Sequence, residues 1–450
     1  MDHWGMPGRR MATPPGMPRR FRAPVLASYA AFVFVGVNAG VSGVLLPSQM
    51  SGYGVDRATI GITFFIGAAG FAFAGLSNGA LIHRSGIRLA LTTGGGAYVL
   101  AGLYLASRPP FAAFVLAQFV TGYATGVLES VLNSYLAALP DATTLLNRLH
   151  AFFGVGALAG PALAAWIVSS APWTVVWLVL ALTCIPLTAG FVLIYPDQAA
   201  EPEPAALGPA APAALGPAGP GPAGAGAAGA GAAGAGAAGR LLAAALRDRG
   251  VLLGTTMLAV YVGLELSVGN WGFSYLVQAR GLPGTLAGYS VSGYWLGLTL
   301  GRFLIRPIAI KIGVTTARMM YACLAGITVA ATLAWLAPDT ALATAALVLL
   351  GFFLGPVFPT TMAIAPQLTR ARLAPTAIGV MNAGSMVGGA ALPWLAGVIT
   401  QATGMWTLLP FGLALALLQF AVWRPLTVRI RGNGGENHAQ PGSVRQAGQL

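Results

Sequence analysis

The run FAAFVLAQFVTGYATGVLESVLNSYLAAL, residues 111–139, contains a single charged side chain, Glu129. At 1.5 Å per residue, a helix of this length is longer than the ~30 Å hydrocarbon core of a bilayer. Working outward from it, eleven further apolar runs of about 20 residues or more satisfy the same criterion. They lie at 24–49, 58–82, 87–107, 147–169, 173–195, 251–278, 285–309, 315–336, 341–366, 373–399 and 405–425. The sequence therefore predicts an all-α integral membrane protein with twelve transmembrane helices. Composition agrees: of 450 residues, 56% are hydrophobic and 8% charged. A soluble domain carries about 25% charged residues, so lipid replaces water around most of this surface. Soluble enzymes, disordered scaffolds and disulfide frameworks are excluded on that ground. Cys184 and Cys323 sit in apolar runs and read as small buried hydrophobes with no redox or metal role.

The net charge of +13 would suit a nucleic-acid partner only if the cations gathered on one face. Instead they are distributed between spans. With the N-terminus inside, 21 of the Lys and Arg residues fall in cytoplasmic segments, and Arg57, Arg108 and Arg280 remain outside. This bias predicts a multi-pass cell-membrane protein with both termini cytoplasmic, and it accounts for the charge without an anionic partner.

Residues 196–239 change composition abruptly, ending in AGAGAAGAGAAGAGAAG, a tract with no side chains able to build a core. It reads as a flexible linker, with 240–249 able to form a short interfacial helix. The expected organisation is a tail at 1–23, six spans at 24–195, a linker at 196–250, six spans at 251–425 and a tail at 426–450. The halves repeat. Arg84-Ser85-Gly86 aligns with Lys311-Ile312-Gly313, Gly156 and Gly160 with Gly384 and Gly388, and Gly122 and Gly126 with Gly351 and Gly355, at offsets of 227 to 229. Each Gly pair suits close helix packing, and also halves that rock against one another.

Nine of the eleven acidic residues lie in tails, loops or the linker; Glu129 and Glu265 lie deep inside apolar runs. A carboxylate there costs about 2.5–3.5 kcal/mol to insert, which marks it as functional unless a structural partner explains it. Glu129 and Asn133 are one helical turn apart, as are Tyr261 and Glu265. Gly263, Gly269 and Gly272 would let the seventh span bend and bring Asn270 and Trp271 round. Asn38 precedes Glu265 by 227 and so occupies its place in the first half. These acids, amides and rings suit a polyhydroxylated solute, whose hydroxyls need donors and acceptors and whose C–H faces stack on rings. Bonding among the groups themselves, between helices, is the structural alternative.

The loop Gly79-Ala-Leu-Ile-His83-Arg84-Ser-Gly86-Ile-Arg88 resembles the signature of the major facilitator superfamily, and the resemblance extends over all twelve spans. It implies two pseudo-repeated six-helix bundles working by alternating access, with this loop as a cytoplasmic gate. His83 stands where the family has Asp. Gly301-Arg302-Phe303 with Lys311 and Gly313 looks like the matching element of the second half, with Ile310 in the acid's place. Within the superfamily, Leu128-Glu129-x-x-x-Asn133 resembles the fucose permeases and related sugar porters. Asn38 nine residues before Pro47, Tyr261-Val-Gly263 and Phe358-Pro359-Thr360 agree with that group. The resemblance implies a solute symporter in which Glu129 binds sugar or relays a proton. Gly43 stands where the fucose permeases carry an aspartate, and Glu265 where they carry an amide, so Glu265 is a second candidate for proton exchange.

The expected function is secondary active transport of a small sugar-like solute, coupled to protons. The partners are then the solute, the coupling ion and the bilayer, with a monomeric chain, no nucleic acid, no cofactor and no metal. Export of a drug or secondary metabolite by proton antiport is the rival, because Gly156-x-x-x-Gly160-Pro161 resembles part of the drug exporters' antiporter motif, with Ala164 and Ala165 replacing its trailing glycines. His150 reads either as a cap or as a pH-sensitive gate residue. An enzyme would need clustered nucleophiles, bases or metal ligands, and His83, His150 and the two glutamates form no such set. Solute sensing without flux is the further alternative.

Overall fold

In the computed structural model, residues 19–195 and 232–438 are described, and their regular structure is entirely helical. The first half comprises α1 (Arg19–Tyr53), the short α2 (Arg57–Ile60), α3 (Ile62–Ala106), α4 (Phe111–Ala137), α5 (Ala142–Val168) and α6 (Thr174–Ile194). The linker helix α7 (Ala232–Arg247) leads to α8 (Arg249–Gln278), α9 (Gly284–Lys311), α10 (Thr316–Leu336), α11 (Thr340–Leu354), α12 (Val357–Leu368), α13 (Ala374–Thr403) and α14 (Leu408–His438). Among the described residues, ten stretches are long and apolar enough to cross a membrane. One of them, Arg57–Ala106, is 50 residues long and about twice the length a bilayer needs. It is two spans joined at Gly86, whose φ of 75° breaks the helix. The 28-residue α9 is long enough to span but is diluted by Gly, Ser, Tyr and three cations. Eleven spans and α9 make the twelve expected, with α11 and α12 sharing one.

The ends of two sequence segments differ from expectation. Residues 232–239, read as flexible linker, are helical; alanine permits the helix there, and they continue one, α7, that packs on α8 and α13. The last helix continues through 426–438, read as tail. Residues 1–18, 196–231 and 439–450 lie outside the described residues.

The chain alternates between two ends of the bundle. The start of α1, the Gly86 turn, α7 and the close of α14 lie at one, the linker end; the turns around residues 54, 108, 281 and 404 lie at the other, the far end. Helices α1 and α8 are the most enclosed of the spans and meet each other between the halves, whereas α6 is largely exposed. Matching pairs pack within each half: α5 on α1 as α13 on α8, and α4 on α3 as α11 on α9. The repeated glycines make these contacts. Gly160 meets the backbone of Gly40, and Gly388 that of Ala259; Gly122 meets Gly67, and Gly351 meets Tyr294. Between halves, α5 packs on α9, α1 on α8 and α3 on α13. Pro161 lies within the continuous α5 beside the α5–α9 seam, where the Ser292 hydroxyl accepts from the Ala162 amide at 3.2 Å.

Candidate functional site

A cavity of about 290 Å³ lies between the halves. Its polar lining comes mainly from the first half: Asn38, Ser42 and Gln49 of α1, Thr63 of α3, and Gln118, Thr121, Thr125 and Glu129 of α4. The second half adds Asn270 of α8 with Asn382 and Ser385 of α13. Phe64, Phe71, Phe114, Phe153, Trp177 and Phe358 supply ring surfaces. No Arg, Lys or His is among the lining residues. One carboxylate, five carboxamides and five hydroxyls therefore face a space walled by aromatics. That set can pair with an uncharged solute bearing several hydroxyls, and it offers nothing to neutralise an anion.

The structure brings three of the seven predicted solute or proton residues to this cavity: Asn38, Glu129 and Asn270. Glu129 is 4% exposed, and no described side chain bonds or pairs with its carboxylate. Asn38 is held from behind, its Oδ1 accepting from the Tyr98 hydroxyl at 2.6 Å. Asn133 is not a cavity group; its Nδ2 donates to the Glu129 carbonyl at 2.9 Å, because an amide one turn along a helix reaches that oxygen readily. Trp271 is fully buried, donating through Nε1 to the Pro393 carbonyl at 2.8 Å and meeting Phe64 of the other half edge-on. It fills the seam instead of the chamber.

Glu265 also departs from the expectation of a cavity residue. It is 1% exposed and accepts from Arg302 Nη2 at 3.3 Å. Tyr261 Oη lies close to the same carboxylate without completing hydrogen-bond geometry. Two residues given separate roles, Arg302 as gate and Glu265 as solute or proton group, are thus partners. The arginine compensates the intramembrane acid, and His150 of α5 packs edge-on against Phe32 of α1 at 5.6 Å.

Of the remaining gate residues, Gly79, His83 and Arg84 are exposed at the linker end. Arg88 donates through Nε to the Tyr195 carbonyl and braces the end of α6. Gly301 lies against the Phe352 backbone, Lys311 is exposed in the last turn of α9, and Gly313 makes the following turn at φ 72°.

Sequence reasoning missed the closure at the far end. Arg57 spans the halves: Nη1 donates to the Thr400 carbonyl at 2.8 Å, Nη2 to Gln278 Oε1 at 2.7 Å, and its amide to Gln401 Oε1 at 3.3 Å. Trp394 Nε1 returns a bond to the Ala58 carbonyl at 3.2 Å. Beneath this, α1 and α8 touch at Gly43, where an added Cβ would sit 2.6 Å from the Asn270 carbonyl and 2.7 Å from that of Gly269. No side chain fits there without moving the α8 backbone, so the position where the resemblance implied an acid must hold glycine in this packing. The available signal was the scarcity of cations on this side. Arg57, Arg108 and Arg280 are all engaged with backbone carbonyls at or beside helix ends.

Two six-span bundles around a central polar chamber, sealed at one end, define a helical membrane carrier. The sequence profile described as Major Facilitator Superfamily matches residues 28–290 and 260–449, and the chain belongs to that superfamily of transporters. Among curated relatives it is 25% identical to Bypass of stop codon protein 6 of Saccharomyces cerevisiae over 85% of this chain and 78% of that protein. It is 30% identical to a gallate transporter of Pseudomonas putida over 34% of this chain and 36% of that one. With a glucose/galactose transporter of Brucella abortus it shares 26% identity over 44% and 45%. Among solved structures, an inward-facing bacterial homolog of the human lysosomal transporter Spinster aligns over 93% of this chain and 98% of its own, with TM-score 0.73 and 13% identity. The outward conformation of the transporter FucP aligns over 92% and 99%, with TM-score 0.58 and 16% identity. Both share the fold.

Proposed function

We propose that this transporter moves a small, uncharged, polyhydroxylated solute by alternating access, driven by a proton gradient across the cell membrane, with the linker end in the cytoplasm. The observation that carries the reading is the cavity's lone, unpartnered Glu129 among amides, hydroxyls and rings. A carboxylate without a counter-cation in apolar surroundings is tolerated by carrying a proton, and that requirement supports coupling. The relatives divide between sugars and aromatic acids. A gallate-like anion would meet Glu129 with no cation to receive it, so the lining favours the sugar side. The abundance of rings keeps export of an apolar metabolite as the second reading.

Reconstituted protein with an imposed pH gradient tests both. Inward accumulation of a labelled hexose or polyol in right-side-out proteoliposomes is expected. Glu129→Gln is expected to lose gradient-driven accumulation by tenfold or more while keeping exchange of solute down its gradient. Accumulation unaffected by that change would remove Glu129 from coupling, and gradient-driven loss of an apolar dye with no hexose movement would establish export instead.

A further inference from the structure

Asn38 differs from the other cavity amides in having a fixed partner behind it. Tyr98, from the third span of the first half, is fully buried, with its ring edge-on to Phe34 at 4.8 Å. Its hydroxyl lies 2.6 Å from Asn38 Oδ1, the hydrogen-bond partner found for it among the described residues. A buried phenol must place its single proton on an acceptor or lose the full cost of that hydrogen bond. The amide oxygen is that acceptor, which turns Asn38 Nδ2 away from Tyr98. This nitrogen is not sealed in the core, and Asn38 lines the cavity, so its N–H groups are presented to the chamber.

We propose that Tyr98 is a positioning residue for solute specificity: by locking the Asn38 amide through its oxygen, it presents the amide N–H groups to the cavity and makes that point a hydrogen-bond donor. The inference rests on the carrier reading above and deepens it. A hydroxyl of the solute at Asn38 is read through its lone pairs. A solute group without an acceptor atom is thereby refused at that point.

Substrate analogues separate these cases, because a deoxy carbon neither donates nor accepts, whereas a deoxyfluoro carbon retains weak acceptor capacity and no donor. Binding of glucose, galactose and their monodeoxy and monodeoxyfluoro analogues to the purified full chain, measured by calorimetry, is the experiment. At one ring position the deoxy analogue is expected to bind about five- to tenfold more weakly than the parent, with the fluoro analogue recovering part of the loss. In Tyr98→Phe the amide is free to turn, and the gap between the fluoro and deoxy analogues at that position is expected to close. Its thermal midpoint reports any purely structural effect, which would weaken all analogues alike. If no position in the unaltered protein shows fluoro recovery, the donor assignment is overturned without recourse to a variant. If the pattern exists and survives in Tyr98→Phe, the role of Tyr98 is overturned while the carrier reading stands. Failure of every hexose and polyol to bind would overturn both.

Discussion

Glu129 and Glu265 carry the same side chain at similar depth, and their surroundings divide them. Glu129 faces an open chamber unpaired; Glu265 is shut against Arg302 at 3.3 Å. Removing one member of a buried pair leaves the other charge uncompensated, which costs about 3–5 kcal/mol, whereas replacing both with apolar groups is often near neutral. Glu265→Gln is therefore expected to lower the thermal midpoint of the purified protein markedly, and the double change Glu265→Gln with Arg302→Met to recover most of the loss. An additive double variant would show that the two do not act as a pair. A second residue-scale case lies outside the membrane. Asp248 caps α8 and accepts from the Gly250 amide at 2.7 Å, the Thr369 hydroxyl at 2.7 Å and Arg429 at 2.9 Å. Burial works against its charge, but Thr369, Gly250 and Arg429 together outweigh it and hold the carboxyl below its ordinary value. A depressed carboxyl contributes its stability above the unfolded value of about 3.9, and that contribution is lost as pH falls through the lower folded value. Asp248→Asn is expected to cost about 1–3 kcal/mol at pH 7. Its melting curve should converge with that of the unaltered protein as the pH falls below the ordinary carboxyl range and through the lowered folded value.

At the scale of elements, the repeat is written in the turns as well as in the packing. Gly86 and Gly313, 227 positions apart, adopt φ of 75° and 72° after the second span of each half. A side chain in this left-handed region meets its own backbone, at a cost of about 1–2 kcal/mol. Gly86→Ala and Gly313→Ala are each expected to destabilise the protein by that amount. Gly313 has open space around it, so its loss reports backbone strain alone. An unchanged thermal midpoint in Gly313→Ala would refute the strain argument. The linker helix α7 shows the converse: its alanine content was visible as composition, but a helix there requires a surface, which α8 and α13 provide.

For the whole molecule, the far end is held by a few polar bonds over a seam of small residues. Arg57 makes its bonds to helix ends of the other half, so opening that end must break them together. Each bond to a charged group is worth about 1.5–3 kcal/mol, enough to shift a two-state population by tenfold or more. With Arg57→Gln, a cysteine placed at the cavity residue Ser42 is expected to become at least tenfold more reactive towards a membrane-impermeant thiol reagent added at the far end. Cys184 and Cys323 are buried and contribute little background. Equal reactivity with and without Arg57 would show that the latch does not set the resting conformation.

What the residues determined alone was the class of protein. Hydrophobic runs, the scarcity of charge and the 227-residue offset are properties of spacing, and spacing fixes twelve helices and their repeat because a bilayer leaves the backbone little other choice. The two intramembrane acids, and the places of Asn38 and Asn270, were legible for the same reason. The partner of each side chain was not. Whether Glu265 meets Arg302 or a solute, whether Asn133 turns inward or back to its own helix, and which arginine closes the far end depend on helix rotation and on the meeting of residues such as Arg57 and Thr400, 343 positions apart. Those contacts exist only once the bundles pack, since a rotation of one residue, 100° about a helix axis, carries a side chain from chamber to seam.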